Sequence, residues 1–262
     1  MPREEVEETI SHLERKKIDE RRIRKKRSED LSAVEAVFDR STLLTLYHLI
    51  NSGVISELFG VISTGKEANV YWAKGGDEDD YAVKIFRTVT ADFKKMSVYV
   101  QGDPRFKRIK KDTRSLIYTW ATKEFKNLTR AQEAKVRVPK PIAVRNNVLV
   151  MEFIGDDGIP APRLKDMAPE DPNDALNVIL KYIRNLYQTA KLIHADLSEY
   201  NILVWNEPVI IDISQGVLIQ HPLAQEFLLR DIKNILRYFR PLVNDIPSTE
   251  TVYRKIVGGK AK

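Results

Sequence analysis

Residues 194–205 read His-Ala-Asp-Leu-Ser-Glu-Tyr-Asn-Ile-Leu-Val-Trp, and residues 209–214 read Val-Ile-Ile-Asp-Ile-Ser. Each stretch contains a short apolar run rich in β-branched residues, and the turn-forming sequence Asn-Glu-Pro stands between the two runs. This pattern predicts a tight β-hairpin that is preceded by a loop. The hairpin would bring the loop close to the end of its second strand.

Three side chains with oxygen atoms converge at that end of the predicted hairpin. Asp196 and Asn201 belong to the loop, and Asp212 ends the second strand. Because carboxylate and amide oxygens suit a hard cation, Asn201 and Asp212 would hold Mg²⁺ while Asp196 stays free to accept a proton. Taken singly, an Asp or Asn in a loop is more often a turn residue or a cap, so the joint spacing carries this hypothesis.

The spacing resembles the catalytic loop of protein kinases, which is followed by a metal-binding aspartate. His194, Asp196, Leu197, Asn201 and Asp212 stand at the corresponding positions. For His194 alone, a packed loop histidine is the alternative interpretation.

Length and composition bound the class of protein. With 262 residues, 43% of them hydrophobic, the chain can bury a sizeable core in one or two domains. It has no cysteine, which excludes disulfides, thiolate catalysis and zinc–thiolate sites and favours a reducing interior. No apolar run approaches the roughly 20 residues of a membrane helix, and no signal peptide opens the chain. We therefore expect a soluble, cytoplasmic protein with no membrane partner.

The N-terminal region, residues 1–53, is predicted to be basic and helical. Residues 14–30 are densely charged, and the whole chain carries a net charge of +6, which favours polyanionic partners. A solvated helix is one interpretation of this arm, and an arm that binds RNA is the other. Residues 41–51 predict an amphipathic helix with Ser41 as N-cap and Gly53 just past its end.

A phosphate-binding turn is predicted at the start of the next region. Residues 63–70 read Ser-Thr-Gly-Lys-Glu-Ala-Asn-Val between two β-rich pieces, and the small residues would let backbone N–H groups approach phosphates. It is not a P-loop, because Glu67 follows Gly-Lys where Ser or Thr is needed. An ordinary hairpin turn is the alternative.

Lys84 and Glu124 form a predicted ion pair. Residues 81–86 read Tyr-Ala-Val-Lys-Ile-Phe and resemble the kinase strand whose lysine holds the α- and β-phosphates, whereas an edge-strand lysine is the alternative. A long insertion near residues 88–111 separates this strand from a helix predicted over residues 113–135. Glu124 on that helix is the expected partner, although Lys123 and Lys126 beside it also fit a surface acid.

The next hairpin, residues 142–144 and 148–154, ends at a predicted hinge. Met151, Glu152 and Ile154 precede Gly155, and the stretch resembles the kinase hinge, in which backbone groups at Glu152 and Ile154 bind adenine and Met151 is the gatekeeper. The end of a core strand is the alternative. Residues 156–174 predict a connector, and helices are predicted over residues 175–191, 222–240 and 248–257.

The motifs together resemble the RIO family of atypical protein kinases, and its first subfamily in particular. The resemblance spans residues 60–215 and rests on the turn at 63–70, on Lys84, on residues 151–154, and on the loop and acid at 194–201 and 211–214. It implies a bilobal, protein-kinase-like α+β fold. The antiparallel N-lobe sheet and its helix would occupy residues 54–154, and a reduced helical C-lobe residues 155–262.

The resemblance also assigns roles. It implies a serine/threonine kinase that uses ATP and Mg²⁺, with Mn²⁺ as the alternative metal, and that phosphorylates its own serine residues. Asp196 would be the base, Lys84 would hold phosphates, Glu124 would fix Lys84, and Asn201 and Asp212 would bind the metal. The expected nucleotide-binding residues are Ser63, Thr64, Gly65, Lys66, Glu67, Val70, Ala82, Lys84, Met151, Glu152, Ile154 and Leu203.

Partners and alternatives follow from the same resemblance. RIO proteins act in maturation of the small ribosomal subunit and its rRNA, and the Asp212 position is a candidate phosphoacceptor that would make the chain an ATPase-like switch. Ser198 replaces the usual lysine, and no long activation segment follows Asp212, which leaves the protein substrate open. An RNA- or ribosome-binding module that only senses ATP is one alternative, and a small-molecule phosphotransferase is another.

Overall fold

The computed structural model describes residues 38–88, 99, 103–106 and 112–258. The basic arm at residues 14–30 and most of the predicted insertion near residues 88–111 lie outside this part of the chain. The chain divides into two compact units, residues 1–47 and residues 48–262. The predicted boundary at residue 154 stays a prediction.

Helix α1 (Arg40–Asn51) begins in the first unit and ends in the second. Its N-cap is Asp39, whose Oδ1 accepts a hydrogen bond from the Thr42 N–H at 2.7 Å. The prediction of Ser41 as N-cap was wrong, because the helix starts one residue before it and an aspartate was available to cap it. Gly53 follows the helix with a φ of 73°, as its position past the end predicts.

A five-stranded antiparallel sheet opens the second unit, with strand order β1-β2-β3-β5-β4. Its strands are β1 (Ile55–Thr64), β2 (Ala68–Gly75), β3 (Asp80–Phe86), β4 (Pro141–Arg145) and β5 (Val148–Glu152). Strand β3 is central, and six of its seven residues are buried, which suits its run of apolar side chains. This placement puts Lys84 deep in the sheet, so the prediction that it lies among apolar neighbours is confirmed.

Helix α2 (Thr113–Glu133) packs on the sheet and joins its core to the core of the helices that follow. Asp112 caps it by accepting from the Ser115 N–H at 2.9 Å. Ile117, Trp120 and Leu128 recur at helical spacing and are at most 1% exposed. The helix thus presents one buried face, on which Glu124 also lies.

The remaining chain is mainly helical, with short strands between the helices. The helices are α3 (Pro172–Asn185), α4 (Ala224–Phe239) and α5 (Thr249–Val257), with a π-helical turn at Leu186–Ala190. The strands are β6 (Gly155–Asp156), β7 (Ile159–Pro160), β8 (Leu192–Ile193), β9 (Ile202–Val204), β10 (Pro208–Ile210) and β11 (Val217–Leu218). No helix among the described residues is long and apolar enough to span a bilayer.

Two sequence-based boundaries were wrong. Helix α3 starts at Pro172, three residues before the predicted start, because Asp171 accepts from two backbone N–H groups and a proline fits the first helical turn. The predicted connector at residues 156–174 starts inside the β6–β7 hairpin, which begins at Gly155. By contrast, β9 and β10 pair antiparallel with Leu203 opposite Val209, which confirms the predicted hairpin.

Trp72 of β2 lies where the sheet meets the β6–β7 hairpin. Its ring stacks on Phe59 with a centroid distance of 4.2 Å, and its Nε1 donates to Asp80 Oδ1 at 2.7 Å. A Cβ atom on Gly158 would lie 2.7 Å from the indole ring, so the glycine permits the hairpin to approach the ring closely.

Candidate active site

A cavity of about 610 Å³ lies between the five-stranded sheet and the β9–β10 hairpin. All the residues predicted to bind nucleotide, bind metal or accept a proton line this cavity. Glu124 is the exception, because it does not line the cavity but is hydrogen-bonded to Lys84. The roles of these residues stay predictions, but their positions in one cavity are a finding.

Lys84 is the central cation of the cavity. Its Nζ lies 2.8 Å from Glu124 Oε2 and 2.8 Å from Asp212 Oδ1. Glu124 is fully buried, so the alternative of a surface acid was wrong. The sheet positions Lys84 by pairing it with Val70 on one side and Leu149 on the other.

The pKa values of these three groups reflect their packing. Burial of the Lys84 ammonium acts against its charge, but Asp212 and Glu124 outweigh this effect and raise its pKa. Burial raises the pKa of Glu124 to about 7, and Lys84 only partly offsets this effect. Loss of solvent would raise the pKa of Asp212, but the Lys84 charge outweighs it and lowers that pKa to about 2. Lys84 and Asp212 therefore stay charged at neutral pH.

The loop at residues 194–201, named here the catalytic loop, is held by helix α4. Asp231 accepts hydrogen bonds from the Ala195 N–H at 2.8 Å and the Leu197 N–H at 2.9 Å. Arg230 donates to the Ala195 carbonyl, and Asn234 donates to the Leu197 carbonyl at 3.1 Å. Sequence reasoning missed these three residues because it identified α4 only as a helix.

His194 supports this loop rather than facing the cavity. It is 1% exposed, and its Nε2 donates to the Ile211 carbonyl at 3.1 Å, which ties the loop to the end of the hairpin. Burial lowers its pKa to about 4, so the ring is neutral near pH 7. The packed loop histidine is therefore the interpretation that the geometry favours.

Asp196 projects into the cavity beside a residue that the sequence analysis did not single out. Its Oδ2 accepts a hydrogen bond from Gln215 Nε2 at 3.2 Å. Burial, together with the charge of Asp212, raises the pKa of Asp196. A raised pKa makes the carboxylate a better proton acceptor.

Asn201 and Asp212 fit a Mg²⁺ ion. Asn201 donates through Nδ2 to the Asp196 carbonyl at 2.8 Å, which leaves its amide oxygen as the ligand atom. Asp212 accepts from Lys84 and Ser214 through Oδ1, which leaves Oδ2 for a cation. Among the described residues no cluster of three or more His, Cys, Asp or Glu side chains could hold a metal. Two protein oxygens completed by phosphates and water are typical of Mg²⁺ sites.

The predicted hinge borders the apolar end of the cavity. Met151 pairs with Ala82 across β5 and β3, and Leu203 of β9 lies among the lining residues. The Ile154 carbonyl accepts from the Ala161 N–H at 2.9 Å, whereas its own N–H has no partner among the described residues. A free N–H on an apolar wall suits the edge of a purine base.

An ion pair fixes the hinge from outside. Arg137 donates to both carboxylate oxygens of Glu152, at 2.7 and 2.8 Å, and the Glu152 N–H donates to the Lys140 carbonyl at 2.8 Å. The Glu152 side chain thus holds the hinge in place, and the binding of adenine by the Glu152 backbone stays a prediction.

The phosphate turn, residues 63–67, joins β1 to β2 at the open side of the cavity. The Gly65 N–H donates to the Ala68 carbonyl at 2.9 Å, and the Glu67 carbonyl accepts from the Arg87 N–H at 2.9 Å. Arg163, from the opposite wall, donates to Ser63 Oγ at 3.3 Å. A Cβ on Gly65 would lie 3.0 Å from the Ala68 carbonyl, so a glycine fits best here.

Comparisons with known proteins agree with this geometry. A family model described as the RIO domain matches residues 69–252. The RIO-type serine/threonine-protein kinase Rio1 of Haloferax volcanii is 43% identical over 254 residues, which cover 97% of this chain and 87% of that protein. The protein of the same name from Methanocaldococcus jannaschii is 48% identical over 81% of this chain and 73% of its own length.

More distant proteins extend the comparison. Serine/threonine-protein kinase RIO1 of Homo sapiens is 42% identical over 80% of this chain, which spans 38% of the human protein. The crystal structure of a Rio2 kinase–ADP/Mg²⁺-phosphoaspartate complex from Chaetomium thermophilum matches with a TM-score of 0.62 at 25% identity, over 82% of this chain and 66% of that chain. The predicted kinase-like α+β fold is confirmed.

Proposed function

This chain belongs to the RIO family of atypical serine/threonine protein kinases, in its first subfamily, and we propose that its cavity binds ATP with Mg²⁺ and transfers the γ-phosphoryl group to a serine hydroxyl. One observation carries the proposal. Lys84 bridges Glu124 and Asp212 at 2.8 Å within the cavity that also contains Asp196. Kinases use this set of a lysine, its helical glutamate and a metal-binding aspartate.

Each side chain has one task in the transfer. Lys84 binds the α- and β-phosphates, while Glu124 keeps its ammonium in place. Asp196 accepts the proton of the acceptor hydroxyl as the new oxygen–phosphorus bond forms and the bond to the β-phosphate oxygen breaks, so that ADP leaves with the electron pair. Mg²⁺ held by Asn201 and Asp212 would neutralise charge on the phosphates. Positioning and electrostatics supply most of the rate enhancement.

A second acceptor is part of the proposal. The Rio2 kinase structure contains ADP, Mg²⁺ and a phosphoaspartate. In this chain Asp212 lines the cavity, and its hydrogen bonds with Lys84 and Ser214 both end on Oδ1, which leaves Oδ2 as the reacting atom. We propose that Asp212 likewise accepts the γ-phosphoryl group as ADP leaves. Water would then hydrolyse this acyl phosphate and release inorganic phosphate, so that the chain acts as an ATPase.

The cellular role is proposed from charge and family. A net charge of +6 and a basic stretch at residues 14–30 support binding to the small ribosomal subunit or its rRNA in the cytoplasm. A module that binds ribosomes and senses ATP without turnover is the second candidate, and it is favoured by Ser198, which replaces the lysine of ordinary kinases.

The test is a transfer assay with γ-labelled ATP and Mg²⁺, with and without small ribosomal subunits. Wild type would be compared with Asp196→Asn and Asp212→Asn, and with the exposed Asp245→Asn as matched control. We expect both cavity variants to lose label transfer and phosphate release, and the control to keep them. If hydroxylamine removes the label, the label is an acyl phosphate. If the label is stable in acid, it is a phosphoserine. ATP binding without either activity in wild type would favour the sensing module.

A further inference from the structure

The turn that follows Asp212, residues 212–216, has a backbone that needs support. Asp212 has a φ of 56°, in the left-handed region that residues with a side chain rarely adopt. Ser214 Oγ donates to Asp212 Oδ1 at 2.8 Å, and the Gly216 N–H donates to the Ile213 carbonyl at 3.1 Å. Such a conformation persists only where the surrounding structure holds it.

Two side chains of α2 hold the carbonyl groups of this turn. Lys123 Nζ donates to the Ser214 carbonyl at 2.7 Å and to the Gly216 carbonyl at 2.5 Å. Asn127 Nδ2 donates to the Ile213 carbonyl at 2.8 Å and to the Gly216 carbonyl at 3.1 Å. Both side chains are fully buried. Three carbonyls of one turn therefore receive four hydrogen bonds from residues four apart on one helix.

A residue ahead of α2 orients the amide of Asn127. Arg105 Nη1 donates to Asn127 Oδ1 at 2.8 Å, so the Nδ2 group is the one that faces the turn. Asp103, which is 2% exposed, fixes Arg105 through an ion pair of 2.6 Å. The segment Pro104–Phe106 is thereby linked to the turn through a single buried side chain.

From these contacts we propose that Lys123, Asn127 and Arg105 form a clamp, the turn clamp, which positions Asp212 and thereby sets the affinity of the site for its metal ion. The inference rests on the proposed function, in which Asp212 is a metal ligand. Glu124 lies between the clamp residues on α2 and holds Lys84, so one helix positions both the phosphate-binding cation and the metal-binding carboxylate.

Packing alone does not account for these residues. A methionine or leucine would fill the same buried volume without a polar group, and a buried amine or amide is costly unless its hydrogen bonds are made. All four hydrogen bonds that Lys123 and Asn127 donate end on backbone carbonyls of the turn, so their effect is on its conformation. The clamp residues do not line the cavity, so they act as positioning residues.

The experiment measures ADP binding as a function of Mg²⁺ for Lys123→Met, Asn127→Leu and the matched control Lys126→Met, an exposed lysine on the same helix. For the first two we expect the Mg²⁺ concentration at half-effect to rise about tenfold, the equivalent of one or two lost hydrogen bonds. ADP affinity in EDTA should stay within about twofold of wild type, because the phosphate and adenine contacts are untouched. Saturating Mg²⁺ should restore the affinity of wild type.

Other results of this experiment would contradict either the turn clamp or the metal-binding role of Asp212. A lower melting temperature with an unchanged Mg²⁺ requirement would reduce the clamp to a structural role. If Lys123→Met or Asn127→Leu fails to fold, Arg105→Met decides, since it leaves both α2 donors in place, and a Mg²⁺ requirement equal to that of wild type would then overturn the clamp. Wild-type ADP binding that Mg²⁺ does not strengthen would contradict the metal role of Asp212, which is the proposed function itself.

Discussion

The catalytic loop and the phosphate turn face each other across one cavity, yet they are held in different ways. The catalytic loop is hydrogen-bonded to three residues of α4: Asp231 accepts from two of its N–H groups, and Arg230 and Asn234 donate to two of its carbonyls. Of its four motif residues, His194 and Leu197 are buried. In the phosphate turn, residues 64–66 are exposed, and the Gly65 N–H donates to the carbonyl of Ala68, the first residue of β2.

This difference in support matches a difference between the roles proposed for the two regions. A proton acceptor, the role proposed for Asp196, must be in place before the reaction, because reorganisation during the reaction costs free energy. The contacts of the catalytic loop with α4 would meet that requirement. A turn that wraps phosphates can take its final order from the ligand, because the binding energy offsets the lost entropy. We therefore expect changes in the loop to affect stability and turnover, and changes in the turn to affect nucleotide affinity.

The largest effect is expected from Asp231→Ala. Two buried N–H groups, of Ala195 and Leu197, lose their acceptor, so the free energy of unfolding should fall by about 3 kcal/mol. A misplaced Asp196 should reduce phosphate transfer about 100-fold. Urea denaturation and the labelled-ATP assay measure the two effects, with Asp245→Asn as control. Wild-type turnover in this variant would show that α4 does not position the loop.

The pH dependence of stability is the next effect. The folded pKa of His194 is about 4, below the unfolded value near 6.5, so the unfolded chain binds the proton first as the pH falls. Nδ1 has no partner among the described residues to receive that proton. Wild type should lose about 2 kcal/mol relative to His194→Leu between pH 7 and pH 5.

Urea denaturation of both proteins at the two pH values measures this difference. The substitution also removes the hydrogen bond to Ile211, but that loss does not vary with pH. A stability difference that is constant between pH 7 and pH 5 would mean that His194 takes up a proton as readily in the folded protein as in the unfolded one.

Gly65→Ala tests the other side of the comparison. The new Cβ would lie 3.0 Å from the Ala68 carbonyl, so the turn must shift by a few tenths of an ångström. ADP affinity should fall about fivefold, while the free energy of unfolding changes by less than about 1 kcal/mol. Calorimetric titration with ADP and urea denaturation provide the measurements. A large loss of stability with unchanged affinity would reverse the distinction drawn between the two regions.

Ser63→Ala should have the smallest effect. It removes an exposed hydrogen bond of 3.3 Å to Arg163, so both ADP affinity and turnover should stay within about twofold of wild type. The same titration and transfer assays apply. An effect larger than that of Gly65→Ala would mean that the Arg163 contact closes the cavity over the nucleotide.

Sequence reasoning was strongest where the information is local. The β9–β10 hairpin followed from two β-branched runs around a turn, and the central strand followed from its apolar residues around Lys84. Helix α2 was predicted to within two residues of its observed end, because its apolar period is regular. The metal-binding and proton-accepting roles were predicted from the chemistry and spacing of the loop and hairpin side chains, and the remaining roles came from the family resemblance.

Long-range contacts could not be predicted in this way. Lys123 next to Glu124 favoured a solvated helix face, yet it is fully buried, because the turn at residues 212–216 offers it two carbonyl groups. Asp231 and Gln215 carry no local signal, since their importance depends on loop residues that lie 19 to 36 positions away in sequence. The sequence separation of Lys84 and Glu124 does not identify them as a pair either, because the insertion near residues 88–111 lengthens it. The fold brings the two side chains together.

The packing of Trp72 makes it an intrinsic fluorescence probe of the nucleotide cavity proposed for this protein. The indole lies against Phe59 and the Gly158 backbone, on the strand that also carries Val70, which lines the cavity. The chain has two further tryptophans, of which Trp120 is 1% exposed and Trp205 is 42% exposed and already close to water. The wavelength and lifetime of Trp72 fluorescence should therefore report any movement of the sheet against the β6–β7 hairpin when a nucleotide binds, and no added label is needed.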